Sequence, residues 1–216
     1  MNEQWTLVDD YIADSIVASD DALERALEDS EKAGLPSISV TPAQGKLLFL
    51  LARMRGAKNI LEIGTLGGYS SIWLGRAVAP DGRVITLEID PHHANVARKN
   101  IDRAGLRAVV DIRIGRALDT IKTLSGPFDF FFIDADKPVI PEYFRAALQL
   151  SRSGSVIVVD NVVRKGELAN AKSEDENVRG VRRLHDLIAK EKRVSATTVQ
   201  TVGSKGYDGF TLALVI

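Results

Sequence analysis

Apolar and polar residues recur along this chain with two different periods, and the change from one to the other divides it. From Trp5 to Ala33 the apolar positions Trp5, Val8, Ile12 and Ile16, then Leu23, Ala26 and Leu27, fall three to four residues apart, with Asp20 and Asp21 between them as cap candidates. This spacing predicts two short amphipathic helices. GLPSISVTP is a breaker stretch, and with Pro42 at a first helical position the residues Leu47, Leu48, Leu50, Leu51 and Met54 predict a third helix ending near Gly56. Short apolar runs then take over at Asn59 to Ile63, Arg83 to Glu88, Val109 to Ile114, Phe128 to Ile133 and Ser155 to Val159, separated by helical patterns of ten to fifteen residues. That alternation predicts a parallel sheet with crossover helices on both faces. After a basic helix in VRGVRRLHDLIAKEKR, the runs RVSATTVQTV and FTLALVI predict an antiparallel pair at one sheet edge, with GSKGYDG as the breaker between them. VVRKGELANAKSEDENVRG is the one polar stretch long enough to form a mobile loop, and a loop of that length is expected to be functional.

Composition narrows what such a domain can do. At 216 residues, 45% hydrophobic and 26% charged, the chain suits a single domain, a helical cap over residues 1–56 on an α/β core over 57–216. With 28 basic and 29 acidic residues the net charge is −1, too little for the broad attraction that nucleic-acid or membrane-surface binding draws on. A small-molecule partner is expected instead. There is no cysteine, which excludes disulfides, thiolate metal sites and cysteine nucleophiles and favours a cytoplasmic setting. Any metal would be held by oxygen or imidazole. MNEQWTLVDDYIADSIVASDD has no continuous apolar run, so neither a secretory signal nor a membrane span is expected there.

Three local features carry candidate chemistry. In NILEIGTLGGYSSIWL a strand enters a turn containing Gly64, Gly67 and Gly68 and leaves as a helix near Tyr69 or Ser70, whose free N–H groups suit an anion. The spacing differs from the dinucleotide pattern, and Glu62 in the turn region would repel a pyrophosphate, so a ligand with both a carboxylate and an ammonium group fits better. The plain alternative is a tight turn without a ligand. Glu88 closes the second strand twenty-four residues after Gly64, the place for an acceptor to a ribose diol. Asp134 ends one buried run, and Asp160 and Asn161 end the next. If those strands pair, about 4.8 Å apart, two carboxylates and an amide oxygen meet at one cation, and such a donor set suits Mg²⁺. The alternative is that both aspartates cap the turns that follow them. Lys137 is placed to reach the same pocket, where a nearby cation would disfavour its ammonium form and make the amine a general base; otherwise it is a solvated surface lysine. His92, His93 and His185 have no metal-ligand spacing and are expected to be structural or solvated.

The segments ISVTPAQGKLL, LEIGTLGGYSS, TLEIDP, IDADK, VVDNVV and KGYDGFTLALV together resemble the cation-dependent class I O-methyltransferases, the catechol and caffeoyl-CoA group with its small bacterial relatives. The resemblance implies a Rossmann-like fold with a mostly parallel seven-stranded sheet, one antiparallel edge strand and extra N-terminal helices. It implies S-adenosylmethionine as methyl donor and a Mg²⁺-bound ortho-dihydroxy aromatic as acceptor. Carried over by position, the donor contacts fall on Val40, Glu62, Gly64, Thr65, Ser70, Glu88, Ala117 and Asp134, the metal ligands on Asp134, Asp160 and Asn161, and the general base on Lys137. Asp134 then serves catalysis, donor and metal together. Ile140 stands where the family has a tyrosine, which is expected to reshape the acceptor pocket, whereas Tyr143 keeps the family's second tyrosine. The resemblance also implies a homodimer, to which the apolar stripe of the N-terminal helices adds. Two other readings of the same pattern are a nucleotide-dependent oxidoreductase and a nucleoside-binding module without turnover.

Overall fold

The computed structural model describes residues 2–216, and its first three helices begin where the chain offers a cap. The Asn2 side chain accepts from Gln4 N to start α1 (Glu3–Ile16), and Asp20 accepts from Leu23 N to start α2 (Asp21–Lys32). Helix α3 (Pro42–Arg55) opens with proline in its first turn under the Thr41 cap and stops at Gly56, whose φ of 63° is left-handed.

Seven strands follow, interleaved with five helices: β1 (Asn59–Ile63), α4 (Tyr69–Ala77), β2 (Arg83–Glu88), α5 (Pro91–Arg103), β3 (Val110–Ile114), α6 (Ala117–Ile121), β4 (Phe130–Ile133), α7 (Ile140–Gln149), β5 (Val156–Asp160), α8 (Glu176–Lys190), β6 (Val194–Gly203) and β7 (Gly206–Val215). They form one sheet in the order β3-β2-β1-β4-β5-β7-β6. The first five strands in sequence are mutually parallel, and β7 runs antiparallel to both β5 and β6. Strand order reverses between β1 and β4. In open α/β sheets the crevice outside the carboxyl ends of the strands at such a point is where ligands bind.

Both sheet faces are covered, which explains the unbroken apolar run of β4. Phe130 and Phe132 pack with Leu23, Leu48, Ile72 and Trp73 on one face, whereas Phe131 and Ile133 pack with Phe144, Leu148, Val181 and Leu184 on the other. Among the described residues, no helix is long and apolar enough to cross a membrane.

Two sequence expectations need correction. The polar stretch 162–180 is not one open loop, because Val162 and Val163 are buried, a kinked 3₁₀ segment covers Arg164–Ala169, and the Asp175 side chain caps α8 from Asn177 N at 2.8 Å. GSKGYDG is not a seven-residue breaker either. Gly203 pairs with Gly206, so only Ser204 and Lys205 turn the chain, while Tyr207, Asp208 and Gly209 continue the ladder.

Candidate active site

A cavity of about 770 Å³ opens at the carboxyl ends of β1, β2 and β4, beside the reversal of strand order. Its floor is the β1–α4 turn. Gly64 has φ 100°, and a Cβ there would lie 2.0 Å from the Asp134 carbonyl oxygen, so only glycine lets the ends of β1 and β4 approach so closely. Gly68, with φ 84°, takes the N-cap position of α4 and offers no side-chain cap. The first amides of α4 are therefore left for an anionic group, with Tyr69 and Ser70 at the cavity wall.

Glu88 organises the opposite wall. One carboxylate oxygen accepts from Thr65 N at 3.3 Å and Leu66 N at 2.8 Å, and the other accepts from Ile89 N and Asp90 N at 2.9 Å each. The same side chain thus holds both ligand-facing turns and presents a negative charge between them. His93 Nδ1 lies 3.7 Å from it. Ile63, Leu87, Ile89 and Leu118 give the cavity apolar walls, and Ala117 stands at the start of α6. A carboxylate acceptor, an apolar slot and, on the same cavity, a helix N-terminus and Asp134 fit the ribose, base and amino-acid ends of an adenosyl amino acid.

At the far end of the cavity β4 and β5 run side by side, with Asp134 following one strand and Asp160 ending the other. Lys137 Nζ donates to Asp134 Oδ1 at 2.9 Å, and Lys137 is only 7% exposed, which excludes a solvated surface lysine. Asp160 is buried, and its carboxyl is pushed up to about 7, first by burial and then by the charge of Asp134, with Lys137 and the hydrogen bonds from Asn161 N and Gln44 pulling the other way. Asn161 adopts a φ of 54°, which a non-glycine residue holds only at a cost. Its side chain lines both this cavity and the neighbouring one. Among the described residues, no group of three or more His, Cys, Asp or Glu side chains converges to hold a metal ion. Two carboxylates and an amide are an all-oxygen set short of a full shell, which fits a hard cation that keeps several waters, such as Mg²⁺.

The family model described as O-methyltransferase matches residues 14–216. The chain belongs to the O-methyltransferase family. It is 52% identical over 218 residues to a catechol O-methyltransferase of Niastella koreensis, covering 99% of each chain. An O-methyltransferase structure from Bacillus cereus in complex with SAH superposes with a TM-score of 0.98 at 54% identity over 100% of both chains. The O-methyltransferase TomG from Streptomyces achromogenes, involved in tomaymycin synthesis and solved in complex with SAM, gives 0.96 at 51% identity, covering 100% of this chain and 99% of its own. The fold is that of the Rossmann-like class I methyltransferases, and the oxidoreductase reading falls.

Against the family expectation, Val40, Gly64, Thr65, Ser70, Glu88, Ala117, Asp134 and Lys137 all line the cavity, and Asp160 borders it from the adjoining one. Glu62 does not. It lies within β1 rather than in the turn, is wholly buried, and accepts from Ser70 Oγ at 2.6 Å and from Ser71 Oγ, so it anchors the start of α4 from beneath. Ile140, the first residue of α7, is buried in the core and does not line the cavity, whereas Tyr143 does. Of the histidines, His92 bonds the Ala33 carbonyl and His185 bridges Val181 and Thr198, both structural, but His93 lines the cavity. The sequence gives no sign of Gln44 at the site, yet its Nε2 donates to Asp160 Oδ2 at 2.6 Å. Three residues after the Thr41 cap, its spacing suggests a reciprocal capping role instead. No local signal connects it to a strand end 116 residues away.

Proposed function

We propose that this enzyme transfers the methyl group of S-adenosylmethionine to one hydroxyl of an ortho-dihydroxy aromatic with the help of Mg²⁺ or another divalent cation. The observation that carries the reading is that Asp134, Lys137 and Asn161 line the cavity that Glu88 and the β1–α4 turn define, with Asp160 beside them at the wall of the adjoining cavity. The relative named catechol O-methyltransferase and the neighbours solved with SAH and SAM support it. When bound, the donor supplies an electrophilic methyl group and the cation supplies Lewis acidity to the acceptor's hydroxyls.

The chain's own residues do the rest. Glu88 orients the donor through its ribose, while the α4 N-terminus and Asp134 take its carboxylate and ammonium ends. Asp160 and Asn161 hold the cation side, with Gln44 fixing the Asp160 carboxylate in one orientation. Asp134 is shared, because its carboxylate can serve either the Lys137 ammonium or a cation; where a cation would take Asp134, Lys137 would release its own proton to solvent, and the neutral amine would then be placed to take the proton of the reacting hydroxyl. Holding both partners side by side in a reactive geometry removes much of the entropic barrier to a single displacement.

A homodimer and a cytoplasmic setting belong to the same proposal. The dimer is supported by α1, which buries none of its residues and leaves Leu7, Val8, Tyr11 and Ile16 exposed, Tyr11 to 73% and Ile16 to 75%. The function is tested by incubating the protein with S-adenosylmethionine, Mg²⁺ and a panel of ortho-diols and reading products by mass. One added methyl group on a diol is the expected result; donor binding with no methylated product from any diol would contradict the reading.

A further inference from the structure

The β6–β7 hairpin carries a lysine that the mechanism above does not use. Its two-residue turn is pinned by Asp9 of α1, which accepts from Ser204 N at 2.8 Å and Ser204 Oγ at 3.0 Å. The turn closes one side of a second cavity of about 290 Å³, lined elsewhere by Asp160 and Asn161. Ile38, Ser39, Val40 and Asn161 line both cavities, so the two meet at the carboxylate cluster.

The charges around this second cavity are unevenly satisfied. Asp9 is held by Ser204, and Asp160 by Gln44 and the Asn161 amide. Asp208 Oδ1 accepts from Val163 N, Arg164 N and Gly209 N at 2.9 to 3.0 Å. Lys205 is the only cationic side chain lining the cavity among the described residues, and its Nζ donates to a neutral group, the Ser39 carbonyl. Lys205 is an exposed residue at the edge of this cavity, and an ammonium whose hydrogen-bond partner is neutral gains from an anionic oxygen, because charge-assisted hydrogen bonds are about twice as strong as neutral ones.

We propose that this second cavity receives the ring of the methyl acceptor, its diol toward Asp160 and Asn161, and that Lys205 pairs with a carboxylate substituent on that ring, so that the preferred acceptors are ortho-dihydroxy aromatic acids. The inference rests on the O-methyltransferase reading above and deepens it. The hairpin fits the role because Asp9 and the β-ladder fix the backbone of its turn beside the second cavity.

A matched pair of probes tests it: 3,4-dihydroxybenzoate and its methyl ester share the diol and differ in the charge. The ratio of kcat/KM for acid over ester is measured in the wild type, Lys205→Met and Lys205→Arg; being internal to each protein, it cancels any loss of folded enzyme. The wild type is expected to favour the acid. Lys205→Met should lower the ratio by at least about tenfold, mainly through KM for the acid, and Lys205→Arg should retain most of it. An unchanged ratio in Lys205→Met, or a wild type with no preference for the acid, overturns the inference while leaving the ortho-diol reading standing. Methylation of neither probe, nor of any other diol, is the distinct failure of that underlying reading.

Discussion

Glu62→Gln is the sharpest test of how the floor of the site is built. Glu62 sits in the central strand β1 with no solvent contact, and its two oxygens receive the hydroxyls of Ser70 and Ser71 at the start of α4. Burial raises its proton affinity from the ordinary 4.5 to about 7, opposed by the hydroxyls of Ser70, Ser71 and Thr86 and reinforced by the charge of Asp134. Because the carboxyl binds its proton more tightly folded than unfolded, its stabilisation is complete below about pH 4.5 and is lost as pH rises through about 7. At about 1.4 kcal/mol per tenfold change in proton affinity, the whole effect is about 3 kcal/mol. Glutamine keeps the shape and removes the titration. Its amide can accept from one serine and donate to the other, so the substitution adds an offset of about 1 kcal/mol that does not vary with pH. Urea unfolding of both proteins at pH 5 to 8 in chelator-treated buffer reads the difference, and other titrating groups largely cancel in it. The wild type should lose about 2 to 3 kcal/mol relative to Glu62→Gln across that range. A difference that stays constant from pH 5 to 8 would refute the reasoning.

Other perturbations separate the parts of the site. Glu88→Gln should weaken S-adenosylmethionine binding by about tenfold or more in calorimetry, since a charged acceptor to the ribose is lost; unchanged affinity in a folded variant would place the ribose elsewhere. Gln44→Leu should lower divalent-cation affinity by about 10- to 100-fold in a Mn²⁺ titration, because Asp160 loses its orienting partner; equal affinity would mean that Asp160 needs no support. In sedimentation the wild type should run at twice the 23.5 kDa chain mass and Tyr11→Asp at the chain mass, and a wild-type monomer at micromolar concentration would remove the dimer.

Much of the architecture was legible because it is local. Asp20, Pro42 and Gly56 mark helix ends through hydrogen bonds and φ values set within a few residues. The buried strands β1, β4 and β5 stand out because a sheet covered on both faces needs continuous apolar runs. What failed to show was what depends on distant partners. Glu62 falls inside the predicted run Asn59 to Ile63, but no local signal shows that its carboxyl turns beneath α4 to Ser70 and Ser71 rather than toward a ligand. Val162 and Val163 look like loop residues within a polar stretch, but their burial depends on the surrounding sheet and helices. The KGYDG segment reads as a breaker until Gly206 is seen to form a tight hairpin, with Tyr207 and Asp208 back in register against Val202 and Thr201. In the site, Asp134, Asp160 and Lys137 were visible as strand-end residues, whereas Gln44 and Lys205 reach it only through tertiary packing.

The account stands or falls on whether the strand-end carboxylates serve a cation that the reaction requires. The direct measurement is methyl transfer by metal-stripped wild type, confirmed metal-free by elemental analysis, alongside Asp160→Ala, with S-adenosylmethionine binding followed in parallel. Stripped wild type should be inactive and recover on adding Mg²⁺, whereas Asp160→Ala should stay inactive at any Mg²⁺ concentration, and both should still bind the donor, because Glu88 and the β1–α4 turn are untouched. Full turnover by the metal-free wild type would contradict the account and leave Asp134 and Asp160 as ordinary strand-end caps.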